Sequence, residues 1–206
     1  MATQAYPPGG TYFDTAKRSF TSVPVNKSKD NAISTTEFLE ASESLTGLFD
    51  VLGSVAFKPV ASDMTGNIKK IRDRQLSSPL ESETLQDLVI NELKTKKHTA
   101  TEGLVWLVRG LDFTSQALRK NLSNPSEELS TSFRNAYGNT LKQYHSFMIK
   151  PIFSAAMSAT PYRKDFYAKL GDNQERVQKE LGEWLSALEE RVSILKEFLG
   201  RKECRY

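Results

Sequence analysis

From residue 34 to residue 199 the sequence keeps returning apolar side chains at intervals of three and four, and no stretch sustains the period-two alternation of a half-buried strand. Phe38, Ala41, Leu45, Leu48, Phe49 and Leu52 mark the first such face. Ser34 with Glu37 fits a capping box at its start, and Gly53 stands at its end. FKPV (57–60) reads as a connector whose Pro59 starts a second helix over 61–77, stopped by Ser77-Ser78-Pro79. A third helix is expected over 82–95. Thr99 with Glu102 suggests another capping box, opening a long helix over 100–121. The next is expected over 126–149, carrying Tyr144 and His145, with Pro151 breaking or kinking it before a piece that ends near 158. A short helix over 163–169 ends at Gly171, and a last one over 174–199 carries Val177, Leu181, Trp184, Leu188, Val192 and Leu195. The expectation is an all-α chain of about eight helices in a single domain over 34–206, behind an irregular arm over 1–33 with a docked turn near Tyr12 to Phe20.

Composition narrows the function. At 206 residues, with 38% apolar and 26% charged side chains, the chain can bury a sizeable core. A net charge of +3 is too small to argue for nucleic acid, and suits a weak attraction to anionic membrane surfaces. The single cysteine, Cys204, allows no internal disulfide and points to a reducing, cytoplasmic setting. No secretory signal, no prenylation terminus and no run near the roughly 20 apolar residues of a membrane span is legible, so membrane contact is expected to be peripheral.

Three candidates stand out chemically, the first of them a trio. Asp63, Asn67 and Lys70 follow i, i+4, i+7 and fall within an arc of about 60° beside Met64 and Ile71. An acceptor, a two-way amide and a donor in that order can meet a ring of hydroxyls; the same spacing also fits a solvated rim. Trp106 shares its face with Gly110, Phe113 and Ala117, which leaves room beside an indole able to stack on a sugar; an ordinary core tryptophan fits too. His145, between Tyr144 and Phe147, Met148, Ile149 and Ile152, can donate to a buried amide or be a satisfied core histidine. His98, in TKKHTA, is expected to be exposed.

Catalytic signatures are lacking: no GxSxG, HExxH, Walker A loop or GxGxxG occurs, and two isolated histidines with one cysteine make no standard metal site. The expectation is no enzyme, no cofactor and no metal. The cluster Lys69, Lys70, Arg72, Arg74 has no interleaved aromatics, which argues against nucleic acid.

Taken together, DMTGNIKKI (63–71) with the preceding FDVLGSVAFKPVASD, GLVWLVRGLDF (103–113), LKQYHSFMIKPIFSAA (141–156) and ATPYRKDF (159–166) resemble the glycolipid transfer protein family, in its order and spacing. The N-terminal arm and the terminal RKECRY look most like fungal members tied to heterokaryon incompatibility. The resemblance implies a two-layer all-α fold with a headgroup site above a hydrophobic tunnel, and a monomeric carrier of glycosphingolipids of the galactosyl-, glucosyl- or lactosylceramide type. On matching positions, Asp63, Asn67 and Lys70 would bond the first sugar and Trp106 would stack on it. His145 and Asp63 would hold the ceramide amide. Leu45, Phe49, Leu52, Val60, Phe113, Phe153, Phe166 and Leu170 would line the tunnel. Phe147, Met148, Lys150 and Tyr162 would touch the bilayer. A ceramide-1-phosphate site would call for more cations than Asn67 and Trp106 supply. A glycolipid sensor, a helical protein-interaction module and a glycolipid hydrolase are the competing readings.

Overall fold

A computed structural model describes residues 6–53 and 57–205; Ser54, Val55 and Ala56 of the FDVLGSVAFKPVASD stretch, and both extreme ends, lie outside them. The chain is an all-α, two-layer structure with nine α-helices among the described residues: α1 (Tyr12–Thr15), α2 (Thr35–Leu52), α3 (Lys58–Ser77), α4 (Leu85–Lys94), α5 (Thr99–Ser123), α6 (Leu129–Asn139), α7 (Ile149–Ser158), α8 (Arg163–Leu170) and α9 (Gln174–Leu199). Helix α5 is the shared element, packing on α3, α4, α6 and α9. Its Leu104, Leu107, Leu111, Phe113, Ala117 and Leu118 are fully buried, a wide apolar arc that explains how one helix serves several neighbours.

The sequence expectations fail at four places. Residues 6–33 include the docked turn expected near Tyr12 to Phe20, as a short helix, but also regular pieces that an irregular arm would lack. Thr11 caps α1 through a capping box, Phe20–Ser22 forms a 3-10 turn, and β1 (Val25–Asn26) pairs antiparallel with β2 (Ala32–Ile33). Tyr12, Phe20, Val23 and Ile33 enter the core, and buried Arg191 of α9 donates to Val23 O at 2.8 Å, tying this segment down. Neither expected capping box forms. The Ser34 hydroxyl turns to the Glu37 carboxylate instead of the backbone, and α5 starts at Thr99 with His98 before it. Its orphan N–H groups are met from outside: the buried Glu92 carboxylate of α4 accepts from Ala100 N at 2.9 Å, Thr101 N at 2.7 Å and the Thr101 hydroxyl at 2.7 Å.

The helix expected over 126–149 stops at Asn139. Thr140, with φ −122° and ψ −86°, leaves helical space, and its hydroxyl bonds back to Ala136 O. A 3-10 turn (Leu141–Gln143) and an irregular stretch follow, so His145 sits in a loop. Pro151 breaks nothing. It is the third residue of α7, where its missing N–H would have had no intrahelical partner. Pro59 likewise lies inside the first turn of α3, which begins at Lys58. At the end of α2, Gly53 adopts φ +70°, where a Cβ would stand 2.8 Å from the Lys169 ammonium that caps Val51 O.

Candidate functional site

A cavity of about 350 Å³ opens between α3, α5 and the 141–153 segment. Asp63, Asn67 and Lys70 from α3, Trp106 from α5, and His145 all line it, so the three separate sequence signals converge on one place. Val60, Met64, Gly110, Leu141, Ile152 and Phe153 form its apolar part.

The trio is a hydrogen-bonded chain with a direction. Lys70 Nζ donates to Asn67 Oδ1 at 3.3 Å, and Asn67 Nδ2 donates to Asp63 Oδ2 at 3.2 Å. Asn67 is buried and its amide orientation is set by a cation on one side and an anion on the other. The remaining Lys70 protons and Asp63 lone pairs stay available. Desolvation raises the Asp63 pKa from its ordinary value, and the Lys70 charge opposes that rise.

Close approach of α3 to α5 depends on Gly103. A Cβ there would lie 3.2 Å from Asn67 O and 3.1 Å from Lys70 Cβ. The room expected beside Trp106 at Gly110 is taken by Met64, whose Cγ would be 3.5 Å from a Cβ. The space beside the indole comes from the loop instead. Trp106 lies nearly parallel to the His145 ring, 18° apart with centroids at 6.1 Å, and edge-on to Tyr144 at 6.4 Å. Arg109 places its guanidinium 3.6 Å from the Tyr144 centroid and 4.8 Å from that of Trp106, holding the two rings through cation–π contacts.

His145 is held by Phe153, at 4.4 Å between centroids, and its Nδ1 is 3.2 Å from Tyr137 Oη. Desolvation, and after it the Lys150 charge, lowers its pKa from the ordinary value of about 6.5. The sign follows directly. Between 6.5 and the lowered folded value, the unfolded chain takes up the proton and the folded chain does not, so stability falls as pH drops through that window. An NMR titration is expected to find a His145 midpoint below 6.5, with thermal stability declining over the same range; a midpoint at or above 6.5 would contradict it.

Of the residues expected to line a tunnel, Val60 and Phe153 border this cavity. Leu45, Phe49, Leu52, Phe113, Phe166 and Leu170 are buried core residues away from it. They are not unconnected. Phe153 touches Phe113 at 6.0 Å, Phe113 touches Phe133 at 5.6 Å, Phe133 touches Phe57 at 5.9 Å, and Phe57 stacks on Phe49 at 5.7 Å, an aromatic line from the cavity to α2.

Phe147 and Met148 are 82% and 68% exposed, and Tyr162 is 68% exposed. Ile149 and Ile152 continue from this surface into the cavity lining. Lys150 is exposed beside them. Sequence reasoning missed Glu102, Arg109 and Tyr137 as neighbours of the site, and named Tyr144 only as the residue before His145. Glu102 and Arg109 lie four before and three after Trp106, a helical spacing that already put them beside it. Tyr137 and Tyr144 needed the loop. A larger cavity of about 450 Å³ between α5, α6 and α9 is a poorer candidate, because its charges are already paired: Arg119 with Glu189 at 2.8 Å and Lys196 with Asp112 at 2.7 Å.

An all-helical sandwich whose polar pocket runs straight into apolar core and exposed apolar surface defines a protein that holds an amphiphile. Among the described residues no helix is long and apolar enough to cross a membrane. The chain belongs to the glycolipid transfer protein family, whose model matches residues 33–172, a family of lipid carriers and not of enzymes. It is 75% identical over 202 residues to a glycolipid transfer protein of Aureobasidium melanogenum, covering 98% of this chain and 99% of that one. The crystal structure of HET-C2, a fungal glycolipid transfer protein, superposes with a TM-score of 0.93 at 63% identity, over 95% of this chain and all of that one. A structure of FAPP2, described as selecting simple glycosphingolipids with this fold, gives 0.82 at 32% identity, over 92% and 94%.

Proposed function

We propose that the protein carries glycosphingolipids of the galactosyl-, glucosyl- or lactosylceramide type between membranes, as a cytoplasmic monomer working at the bilayer surface. One observation carries the proposal: the ordered Lys70–Asn67–Asp63 chain, Trp106 and His145 share a single cavity with Phe153 and Ile152. The free Lys70 protons and Asp63 lone pairs suit hydroxyls that both donate and accept, and Trp106 gives the C–H face of the first sugar a flat partner. His145 and Asp63 take the ceramide amide. A Tyr137 hydroxyl donating to Nδ1 leaves the His145 proton on Nε2, where it can meet the amide carbonyl. The hydrocarbon chains follow the aromatic line toward Phe113, Phe49, Leu45 and Leu52, with Val60, Phe166 and Leu170 as further wall. Similarity to HET-C2 supports a glycolipid cargo, and similarity to FAPP2 supports a simple glycosphingolipid.

Roughly 25 methylenes at about 0.8 kcal/mol each hold such a lipid in a bilayer by about 20 kcal/mol. A carrier without a nucleotide step must offset nearly all of that with its own apolar interior, so exchange is passive and runs down a gradient. The deciding experiment is fluorescence transfer between vesicles, comparing galactosyl- or glucosylceramide with ceramide-1-phosphate and phosphatidylcholine, with mass spectrometry of the lipid afterwards. Selective movement of an unchanged glycosylceramide is expected. Movement of the phosphate lipid alone, a hydrolysed product, or no movement would each overturn the proposal.

Docking is assigned to Phe147, Met148, Lys150 and Tyr162. An apolar side chain transferred from water is worth about 1.5–3 kcal/mol, so Phe147→Ser with Met148→Ser is expected to weaken vesicle binding and slow transfer by about tenfold or more. Both side chains are exposed, so melting should not change. Unaltered vesicle affinity in the double variant would refute the assignment.

A further inference from the structure

Four large apolar side chains are left exposed in one short stretch: Phe147, Met148, Ile149 and Ile152. Three of them are pure hydrocarbon and inert toward a mild oxidant. Met148 carries a thioether, which a peroxide converts into a polar, chiral sulfoxide. No other sulfur among the described residues is open to the same attack. Met148 is 68% exposed, whereas Met64 and Met157 are 1% and 3% exposed. Cys204 is buried as well, and desolvation pushes its thiol up to about 11, so it holds almost no reactive thiolate near neutral pH. We propose that Met148 is a reversible oxidative modification site, and that a peroxide loosens the protein from the membrane by oxidising it. The proposal rests on the docking assignment above and goes beyond it.

The step is balanced by the peroxide alone. The sulfur lone pair attacks one peroxide oxygen and the O–O bond breaks. The proton left on the transferred oxygen passes to the departing hydroxide, which leaves as water. Sulfur is oxidised by two electrons and the peroxide is reduced by two. The new sulfoxide oxygen is a strong acceptor that water satisfies while the protein is in solution. Docking strips that water, and the flanking Phe147 and Ile149 side chains have no donor to replace it. The cost of an unpaired polar group therefore falls on the docked state. The fold is spared, because Met148 precedes the first turn of α7, makes no side-chain capping bond and lies outside the buried core. The protection also runs the other way: lipid covers a docked Met148, which is then expected to oxidise more slowly.

The full chain would be treated with dilute hydrogen peroxide, and the excess removed before it meets vesicles of saturated phosphatidylcholine containing galactosylceramide. Peptide mass spectrometry is expected to find Met148 oxidised well before Met64 and Met157. Vesicle affinity is expected to fall about tenfold, equivalent to about 1.4 kcal/mol, with circular dichroism and melting unchanged. Methionine sulfoxide reductase with a dithiol should restore it. Met148→Leu has no thioether there; compared with itself, it is expected to bind equally before and after peroxide. Vesicles present during the treatment should slow oxidation of Met148. Earlier oxidation of Met64 or Met157, an oxidised wild type that binds as tightly as the reduced one, or an equal loss in Met148→Leu would overturn the proposal. Phe147→Ser, never treated with peroxide, separates this from the docking assignment. Weaker binding of Phe147→Ser beside an unaffected oxidised wild type would remove the oxidative site and keep the assignment. Unaltered binding of both would bring down the docking assignment and the proposal with it.

Discussion

Asp63→Val and Trp106→Ala are each expected to reduce glycosylceramide transfer by roughly 100-fold or more while helical content stays at the wild-type level. For Asp63 the loss is twofold. The ligand loses an acceptor, and Asn67 Nδ2 loses the partner that now fixes its orientation at 3.2 Å, so Lys70 and Asn67 no longer present an ordered row. Two partners lost at about 1–3 kcal/mol each correspond to roughly 30-fold to well over 1000-fold. Folding is spared because the Asp63 carboxylate is a burden on it. Desolvation raises its pKa, so above that value the ionised group costs the folded state stability, and that cost vanishes with valine. Set against that gain is the partner lost by the buried Asn67 amide, so Asp63→Val is expected to melt near the wild-type temperature. Trp106→Ala removes a half-buried platform, and His145, Tyr144 and Arg109 lose their shared contact. Circular dichroism and the vesicle assay, run on the same preparations, test both. Retained transfer in either variant, or unfolding of Asp63→Val, would show that these side chains serve the fold and not the ligand.

Glu92→Ala should have the largest effect on stability. Its carboxylate receives two backbone N–H groups and one hydroxyl at the start of α5, all buried. Alanine leaves those donors without partners in a space too enclosed for easy hydration. The expected loss is about 3–4 kcal/mol, a fall in Tm on the order of 10 °C for a chain of this size. Glu92→Gln should fall between, since an amide oxygen can accept one donor while its NH₂ faces another. The consequence reaches the cavity, because Glu102, Gly103 and Trp106 lie in the first turns of the helix that Glu92 anchors. Calorimetric unfolding decides it; a loss under about 1 kcal/mol would mean that another group takes over the cap.

The helices that were legible in advance are those whose burial is continuous along one face. Helix α9 was expected over 174–199 and spans Gln174–Leu199, and α8 differs by one residue. Long apolar stripes force helical register whatever they pack against, so local periodicity suffices. The errors fall where a local signal competed with a distant partner. Thr99 and Glu102 looked like a self-contained cap, yet Glu92 from another helix takes the N–H groups. Pro151 looked like a breaker in mid-helix, yet it stands in a first turn because the chain had already left helical space at Thr140. The segment before residue 34 looked irregular because its strands are two residues long and its buried Phe20 and Val23 gain cover only from elements such as α9, far along the chain.

The same division holds for the site. Sequence alone determined an all-α chain and placed Asp63, Asn67 and Lys70 on one helical face and Trp106 on another beside Gly110 and Phe113, because positions within one helix are related by a fixed 100° step. Only the tertiary structure decided that this row, Trp106 and His145 face one cavity, that Met64 occupies the space above Gly110, and that Phe147 and Met148 point outward. Those facts depend on how closely α3 approaches α5 across Gly103 and on where the loop after Thr140 lays His145, and both are set by contacts between residues far apart in the chain.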